Sequence, residues 1–420
     1  MATRQWAGRA KARAHVVTIQ VTAYDAATTY TFTIGGKSIT ALAAGSVNAT
    51  ATALAAAWNA ALETEFAAIT ALATTDTVSL TADTAGIPFV VTKSVTGGTG
   101  TLGAVTTTVT AVSANHWATA VNWIEGVVPV AGDDVIVNQG PSILYDLDQN
   151  AVTLASFTMG LGFPATAEIG LAQNTNPQAP ASGSPQYLDQ RLKIGATVAL
   201  IETNSRRVRL DLTPAATTVT VRDTGQPSVL TERALDLKVD NAGGSSAVYV
   251  LKGHVGINYL PGDSGTLADL NVSYRQSVSS DVSLVGGTSL TLTRLDQSGG
   301  DVLLQNGFVT VLKTAGVLTV TAGAMTTLTH RGGTFYHDGT GTITTFLNEG
   351  IFLRRGFRAG TITNTTLFAG SSTSDPNGVL TWSTPPNFYE CRLAAGPDDR
   401  GPNVAYANFG IHRKLTVADI

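Results

Sequence analysis

A short phrase returns several times in the C-terminal half of the chain, and its spacing constrains the fold more than any other feature. Each copy has a run of Thr and aliphatic residues and, in most copies, a glycine turn before a second short apolar run. The copies begin at Leu290, Val309, Met325, Ile343 and Ile362, so they recur at nearly even intervals. Each interval accommodates two or three short strands with tight turns, which is one coil of a solenoid.

The period and composition of the repeat select one kind of solenoid. A strand of four or five residues cannot bury its apolar face alone, whereas coils stacked about 4.8 Å apart bury a continuous core. Helical repeats need roughly 33 residues or more, and leucine-rich repeats need a regular Leu/Asn consensus that this stretch lacks. Thr and Val dominate the copies and favour pleated strands. The sequence therefore predicts a β-solenoid over residues 138–370.

The overall composition excludes several classes of protein. The chain has 420 residues, enough for two or three domains, but only 13% are charged and the net charge is -4. This balance does not favour nucleic-acid binding. The single cysteine, Cys391, excludes an intrachain disulfide framework and a Cys-cluster zinc site. No run of 18 apolar residues and no apolar segment behind the basic N-terminus occur, so we expect neither membrane insertion nor a secretory signal.

Changes in pattern divide the chain into five segments. They are a basic arm over 1–14, an α+β domain for anchoring or oligomerisation over 15–113, a Trp-rich cap over 114–137, the solenoid over 138–370, and a C-terminal extension over 371–420 that closes the rod or contacts a partner. The arm has no acidic residue. It is predicted to be either a frayed terminus or a tether that docks on an acidic neighbour in an assembly. The assembly candidates are Arg4, Arg9, Lys11 and Arg13.

Periodicity predicts the elements of the α+β domain. Two alternating stretches, 17–21 and 30–34, are predicted to form a hairpin around a turn at 25–27. A second strand pair is predicted from 78–80 and 89–91. A helix capped by Asn48 or Thr50 is predicted from the spacing of its apolar residues. These residues are Leu54, Trp58, Leu62, Phe66 and Ile69.

The cap segment contains Trp117 and Trp123, followed by a turn at Asp133 and Asp134. A solenoid needs such a cover because its first coil otherwise exposes apolar surface and unpaired strand edges. The two aspartates are also possible cation ligands, but two adjacent acids supply too few oxygens, which favours a turn role. His116 has no second His or Cys close to it in the sequence, so a hydrogen-bonded core histidine is favoured over a metal ligand.

A search for chemistry finds no nucleotide-binding, hydrolase or metalloprotease motif. Asp338 and Glu349 lie in neighbouring predicted coils, and paired carboxylates are the groups that glycosidases use. Basic residues accompany them: His330, Arg331, His337, Arg354, Arg355 and Arg358. The simpler interpretation, which we favour, is that these are solvated charges on the turns and outer faces of a rod. The sequence thus predicts no catalytic residue, no cofactor and no metal site.

Three phrases carry a resemblance, over 117–137, 187–195 and 252–257. In them the chain resembles the β-helical virion proteins of tailed bacteriophages, of the head-decoration, fibre or tailspike type. The first phrase is also similar to the coil-opening phrase of bacterial β-helix surface proteins. The resemblance implies a right-handed parallel β-helix. Together with the residue pattern, the expected fold is mainly β, with an N-terminal α+β domain followed by this β-helix and a C-terminal extension. It implies no catalytic residues.

The function expected from this resemblance is a non-enzymatic structural role on a virion, either decorating the capsid or forming a short head or tail fibre. The protein would be made in the host bacterial cytoplasm, with its N-terminal region docked on the particle. Its partners would be the major capsid protein or a tail or baseplate component, and copies of itself, for which threefold symmetry is implied. One alternative is a tailspike that binds or cleaves a host-surface glycan. Another is a bacterial β-helix adhesin, which would require export.

Overall fold

A computed structural model of the chain describes residues 1–170, 191–227, 233–240, 246–260, 262–273, 282–355, 359–368, 371–375, 378–384 and 386–389. The fold is mainly β, with a barrel-like core of parallel strands and additional strands outside it. The helices are α1 (Val47–Ala60), α2 (Thr64–Ala67) and a 3-10 helix (Ala120–Asn122). The strands are β1 (Thr3–Gln5), β2 (Val16–Ala23), β3 (Thr29–Ile34), β4 (Lys37–Leu42), β5 (Ile69–Thr74), β6 (Thr77–Ala82), β7 (Thr92–Thr96), β8 (Thr101–Leu102), β9 (Thr106–Val109), β10 (Asp134–Val137), β11 (Asp148–Met159), β12 (Leu192–Glu202), β13 (Val208–Asp211), β14 (Thr218–Asp223), β15 (Leu235–Lys238), β16 (Ala247–Val250), β17 (Gly253–Ile257), β18 (Gly265–Val272), β19 (Val282–Gly286), β20 (Leu290–Leu304), β21 (Phe308–Val320), β22 (Met325–His330), β23 (Thr334–His337), β24 (Thr342–Asn348), β25 (Ile351–Leu353), β26 (Gly360–Phe368), β27 (Ser372–Ser374), β28 (Leu380–Trp382) and β29 (Asn387–Tyr389).

Two ladders of parallel strands form the larger part of the structure. Ladder A contains β1, β10, β11, β12, β14, β16, β18, β20, β21, β22, β24, β26 and β28, in that spatial order. Ladder B contains the first residues of β11 and β12, then β13, β15, β17, β19, the second halves of β20 and β21, β23, β25 and β27. From β12 to β28 the chain adds to the two ladders alternately, so each turn of chain stacks on the one before it.

One apolar core lies between the ladders, because alternate side chains of both point inward. Aromatic residues fill its C-terminal part. The ring of Phe335 in ladder B lies 6.2 Å from that of Phe346 in ladder A and 5.4 Å from that of Phe352. The strands are too short to bury these rings individually, so stacking supplies the stability of this part of the chain.

The repeat seen in the sequence corresponds to stacked residues in ladder A. Met325 pairs with Ile343, and Ile343 pairs with Ile362, as the spacing predicted. Two copies were placed wrongly, because Phe308 rather than Val309 stacks on Met325, and Leu292 rather than Leu290 stacks on Phe308. Val309 is 46% exposed. An exposed valine suits a strand surface and has the same apolar character as a buried one, so the pattern could not distinguish the two.

Parallel pairing continues beyond residue 370, where the sequence predicted its end. β27 adds to ladder B, and β28 and β29 both pair with β26. Trp382 in β28 is 6% exposed and belongs to the core. The strands β27, β28 and β29 therefore extend the stack. Gly378 is the single glycine between 371 and 389, so the glycine spacing of the earlier copies is lost, which is why the repeat was predicted to stop.

The α+β domain has a separate apolar core and antiparallel strands. One sheet has the order β5-β6-β2-β8 with β9 also on β2, and the other has the order β4-β3-β7. The predicted hairpin of 17–21 with 30–34 is wrong, because β2 and β3 lie in different sheets. The predicted pairing of 78–80 with 89–91 is also wrong, since β6 pairs with β5 and β2. Local alternation identifies strands but does not identify their partners.

The helix of this domain is shorter than its apolar spacing predicted. Its N-cap is Ser46, whose side chain accepts a hydrogen bond from the Ala49 N–H, rather than Asn48 or Thr50. α1 ends at Ala60, and Leu62 is 94% exposed in the break before α2. Ile69 opens β5 instead of continuing the helix. Leu62 fits the helical spacing by coincidence, so the pattern was extended across a turn.

The α+β domain is inserted into the first turn of the parallel stack. β1 lies before the domain in sequence but pairs with β10, which lies after it, with Arg4 opposite Val135. The chain leaves and returns at one place, where Arg13 and Val112 form an antiparallel bridge. Inserted domains are tolerated where their ends are close together. Residues 1–6 are therefore part of the larger body and are not a frayed arm.

Candidate functional site

The first end of the parallel stack is closed by three tryptophans. The ring of Trp123 lies 4.7 Å from that of Trp117 and 5.3 Å from that of Trp6, and both contacts are edge-to-face. None of the three is more than 1% exposed. The indole N–H of Trp123 donates to the Trp117 carbonyl oxygen, and that of Trp6 donates to the Pro141 carbonyl oxygen. Trp117 and Trp123, which the sequence predicted to form a cap, thus lie in the core at this end together with Trp6, which was not predicted.

Arg4 and Asp133 fix the N-terminal strand to the cap. Arg4 Nε lies 2.9 Å from Asp133 Oδ2, and the side chains are 16% and 7% exposed. Burial acts to raise the pKa of Asp133, but hydrogen bonds from Arg4 and from the N–H groups of Val130 and Ala2 outweigh it and hold the pKa below its ordinary value. Asp134 accepts a hydrogen bond from Ser156 on the next strand. Both aspartates therefore have structural partners at the positions considered for a cation.

The outer edge of β1 is blocked by the cap. Parallel strands leave every second residue's backbone groups facing outward, and such an edge can recruit another strand. At Gln5 the N–H donates to the Glu125 carboxylate and the carbonyl oxygen accepts from the Ile124 N–H, at 2.9 Å in both cases. Trp6 and Trp123 continue this antiparallel contact as an isolated bridge. The cap therefore ends the stack at both its apolar core and its hydrogen-bonding edge.

The other basic candidates lie where the chain passes to the inserted domain. Arg9, Lys11 and Arg13 are exposed. Arg13 Nε donates to the Thr110 carbonyl oxygen, so its side chain lies along the neck. Of the four basic residues predicted for assembly, the structure brings Arg4 to an acidic partner within the chain and leaves three on the surface around the neck.

His116 connects the inserted domain to the parallel stack. Its ring is 2% exposed, with Nε2 3.0 Å from the Gly86 carbonyl oxygen and Nδ1 3.1 Å from Asp146 Oδ2. Asp146 has a positive φ of 57° and also accepts from the Ala118 N–H. Both ring nitrogens thus contact oxygen acceptors belonging to the protein itself. His116 is a structural contact between the two parts of the chain.

A column of buried polar side chains runs along one corner of the C-terminal coils. Ladder A stacks Gln297 on Lys313, Lys313 on His330, and His330 on Asn348. We call these four residues the corner column. None is more than 1% exposed, and their side chains bond to backbone groups of the adjacent turns. The corner column satisfies turn carbonyls that would otherwise be buried without a donor.

Lys313 and His330 are the ionisable members of the corner column. The Lys313 ammonium donates to the carbonyl oxygens of Ala315, Gly316 and Gly332 at 2.7–3.0 Å. Burial lowers the pKa of Lys313 to about 8. Burial, reinforced by the neighbouring Lys313 charge, lowers the pKa of His330 to about 4. The imidazole is therefore neutral at neutral pH.

A second buried pair, His337 and Arg354, lies at the C-terminal ends of β23 and β25 in ladder B. Arg354 Nη1 donates to the His337 ring nitrogen Nδ1 at 2.8 Å and to the His337 carbonyl oxygen at 2.6 Å. Both side chains are 0% exposed. Burial and the Arg354 charge lower the pKa of His337 to about 4. The interpretation of His330, His337 and Arg354 as solvated charges is therefore wrong, because the corners of this fold are packed inward around backbone carbonyls.

The two acids considered for glycan cleavage do not come together. Asp338 follows β23 at one end, where it pairs with Arg355 at 2.9 Å; Arg355 also lies over the ring of Tyr336. Glu349 lies at the other end, where its N–H donates to the His330 carbonyl oxygen. The four-residue strand between these ends spans about 13 Å, which exceeds the roughly 5 to 9.5 Å between glycosidase carboxylates. The pair does not have the geometry of a glycosidase site.

A polar cleft lies at the C-terminal ends of β12, β14 and β16. Its volume is 380 Å³. The lining residues are Asn204, Asp223, Thr224, Gly225, Gln226, Lys252, Gly253 and His254. Lys252 Nζ lies 2.7 Å from Asp223 Oδ2 across it. Sequence reasoning missed this cleft, because its residues come from three different coils and form no local motif.

A buried ionic cluster outside ladder B was also missed. The Arg191 guanidinium donates to both oxygens of Asp236 and to both oxygens of Asp263, at 2.6–2.9 Å. Burial opposes the charge on Arg191, but the two carboxylates outweigh it and raise its pKa. Such forked pairing fixes orientation as well as charge. In the sequence, Asp236 lies between Leu235 and Leu237. This is the ordinary alternation of a strand, so it does not indicate a buried ion pair.

Several other predicted features can be compared only where the structure describes the chain. Cys391 and Arg358 lie outside the described residues. Within the described ranges no group of three or more His, Cys, Asp or Glu side chains could hold a metal ion. In the same ranges no helix has both the length and the apolar character needed to cross a membrane.

No family model, no curated protein and no solved structure matches the chain. The chemistry and geometry of its own residues are therefore the basis for assigning a function.

Proposed function

We propose that the two ladders are the faces of a right-handed parallel β-helix and that the protein is a non-enzymatic structural component of a tailed-phage virion. The observation that carries the proposal is the continuous stacking of ladder A over thirteen described strands, from β1 to β28. At about 4.8 Å per strand this stack is about 58 Å long. Its length, its closed first end and its packed interior suit a rod that holds other surfaces apart.

The inserted α+β domain is the proposed docking element. It lies beside the closed end, has its own core, and joins the rod at the neck around Arg13 and Val112, with a further contact between the Gly86 carbonyl oxygen and His116. The exposed Arg9, Lys11 and Arg13 surround this neck and would favour an acidic surface of the major capsid protein or of a tail or baseplate component. Copies of the chain are proposed to associate, with the threefold symmetry implied by the resemblance.

The neck provides a clean test of the docking role. Replacing residues 14–111 by two glycines joins Arg13 to Val112 as a two-residue turn and leaves β1 and the three tryptophans in place. Near-ultraviolet circular dichroism of the tryptophans checks that the cap survives. The binding assay uses phage particles that lack this protein because its gene has been deleted. The full chain is expected to co-sediment with these particles, and the shortened chain is not. Equal binding of both would remove the docking role, and no binding of the full chain would remove the virion assignment.

The shortened chain also tests whether association resides in the inserted domain. Light scattering of both proteins gives their masses in solution. If the domain holds the copies together, the full chain has a multiple of the monomer mass and the shortened chain has the monomer mass. A monomeric full chain would contradict the proposed homo-oligomer.

A further inference from the structure

We propose that the cap carries an apolar docking face, whose partner is a protein of the particle with an apolar patch bordered by acidic side chains. The inference rests on the virion role proposed above and adds a second contact to that of the inserted domain, both being required for tight binding. Val121, Ile124, Val127 and Val130 form this surface, which we call the end face. They are between 40% and 56% exposed. Exposed aliphatic residues scattered singly are ordinary, whereas a group of them marks an interaction site.

The residues of the end face lie close together because their segment folds over one short strand. The Ile124 N–H donates to the Gln5 carbonyl oxygen at one end of β1. At the other end the Asp133 carboxylate accepts hydrogen bonds from the N–H groups of Ala2 and Val130. Gln5 and Ala2 are about 10 Å apart along an extended strand. The end face is therefore one compact patch at the closed end of the stack.

The end face is open to solvent, and the strand edge beneath it is already occupied. A Cβ built on Gly126 or on Gly132 would meet no atom within 4 Å, so these turns project from the body. Glu125 is the one charged residue between 121 and 130, and its carboxylate accepts the Gln5 N–H at the edge of β1. A partner that adds to β1 as a strand would have to displace this contact. Burial of the aliphatic side chains is therefore the favoured mode of binding.

A basic side chain borders the end face. The N–H groups of Gly8 and Ala10 both donate to Asn122, the residue that follows Val121. Arg9 lies between them in the chain and is exposed, so it stands beside the end face. An apolar centre with a basic border is complementary to an apolar centre with an acidic border.

The border also argues against a second copy of the chain as the partner. Lys11, which is exposed and follows Arg9 closely, adds to the positive charge at this end. Two copies that met face to face would bring two basic borders together, and like charges across an interface oppose association. A partner surface bordered by Asp or Glu instead gains both apolar burial and charge attraction.

Co-sedimentation with phage particles that lack this protein, measured over a range of protein concentrations, tests the proposal. Val121→Ser combined with Val127→Ser is expected to weaken binding at least tenfold, because apolar burial is lost. Val198→Ser combined with Val309→Ser is the matched control, since both valines are 46% exposed and lie on ladder A strands β12 and β21. The control is expected to bind as the wild type does. All four substituted residues are exposed, so the thermal unfolding of the three proteins is expected to coincide.

A charge reversal tests the border. Arg9→Glu combined with Lys11→Glu is expected to weaken binding at least tenfold at low salt and less at high salt, because salt screens exposed charges. Arg331→Glu, at an exposed arginine of the C-terminal coils, is expected to have no effect. Unchanged binding of the charge-reversed protein at low salt would remove the acidic border from the partner.

The outcomes separate the end face from the virion role. If the particles bind the wild type and the Val121→Ser, Val127→Ser protein equally, the end face is overturned and the virion role stands. If they do not bind the wild type, both are overturned. A wild-type mass in light scattering that falls only in the Val121→Ser, Val127→Ser protein would assign the end face to a second copy and overturn the choice of partner.

Discussion

Acid should weaken the C-terminal coils through His330, and the effect can be calculated from its surroundings. Burial and the Lys313 charge lower the pKa of His330 from 6.5 to about 4. The folded state therefore binds the proton less tightly than the unfolded state. The stabilising contribution is complete above the ordinary pKa of 6.5 and is lost as the pH falls through 4. A difference of about 2.5 pKa units corresponds to about 3 kcal/mol at pH 4.

His330→Gln is the perturbation that isolates this contribution. Gln297 occupies the equivalent position two coils earlier, where its amide Nε2 donates to the carbonyl oxygens of Gly299 and Gly300. A glutamine at 330 can therefore donate to the Gly333 carbonyl oxygen, as the imidazole does. It cannot titrate between pH 4 and 7.5.

Hydrogen exchange of peptides from β22 to β25 measures the local opening free energy in both proteins. Between pH 7.5 and 4, the wild-type value is expected to fall by about 3 kcal/mol more than that of His330→Gln. Other acid-sensitive groups are common to both proteins and cancel in the comparison. A difference between the two proteins that stays constant over this pH range would refute the reasoning about His330.

Three further predictions concern the closed end of the stack. Trp6→Ala should destabilise the parallel body by about 3–5 kcal/mol in denaturant unfolding, since Trp6 is 0% exposed, whereas a frayed arm would give no change. Arg4→Ala should lower the free energy of unfolding by about 2 kcal/mol, because it leaves the largely buried Asp133 without its arginine partner. Arg9→Ala, a change at an exposed residue of the same segment, should alter the free energy of unfolding by no more than about 0.5 kcal/mol. Glu125→Ala should expose the Gln5 edge and produce end-to-end association in light scattering, and Glu63→Ala, a change outside the cap, should not. A Glu125→Ala protein with the same mass as the wild type at high concentration would contradict the proposed edge protection.

The stacked strands could be predicted from the sequence because their signal is local and repeated. Each coil places an inward apolar residue and a glycine turn at nearly the same interval, and the register confirms this for Met325, Ile343 and Ile362. The β1 strand carries no such signal. It is short, and its partner β10 lies beyond the whole inserted domain, so only the three-dimensional structure reveals that Thr3 pairs with Asp134.

The corner column had a signal that was overlooked. Gln297, Lys313, His330 and Asn348 recur at nearly the same interval as the apolar repeat, and each precedes a glycine by two or three positions. A polar side chain that recurs at the period of the coil and directly before its glycine turn is typical of a group that bonds the turn from inside. Its partners are backbone carbonyls, which a sequence does not display.

Cysteine pairs on the outer face of ladder A test the stacking of coils most directly. Thr310 pairs with Thr327, and Thr327 pairs with Thr345, so each pair of Cα atoms is about 4.8 Å apart, within the roughly 4.4–6.8 Å that a disulfide needs. Thr310 and Thr345 are two strands apart, at about 10 Å. In a chain with Cys391 replaced by serine, we expect oxidation to link 310 with 327 and 327 with 345, but not 310 with 345. A disulfide between 310 and 345, or none in the two adjacent pairs, would contradict the stacked fold.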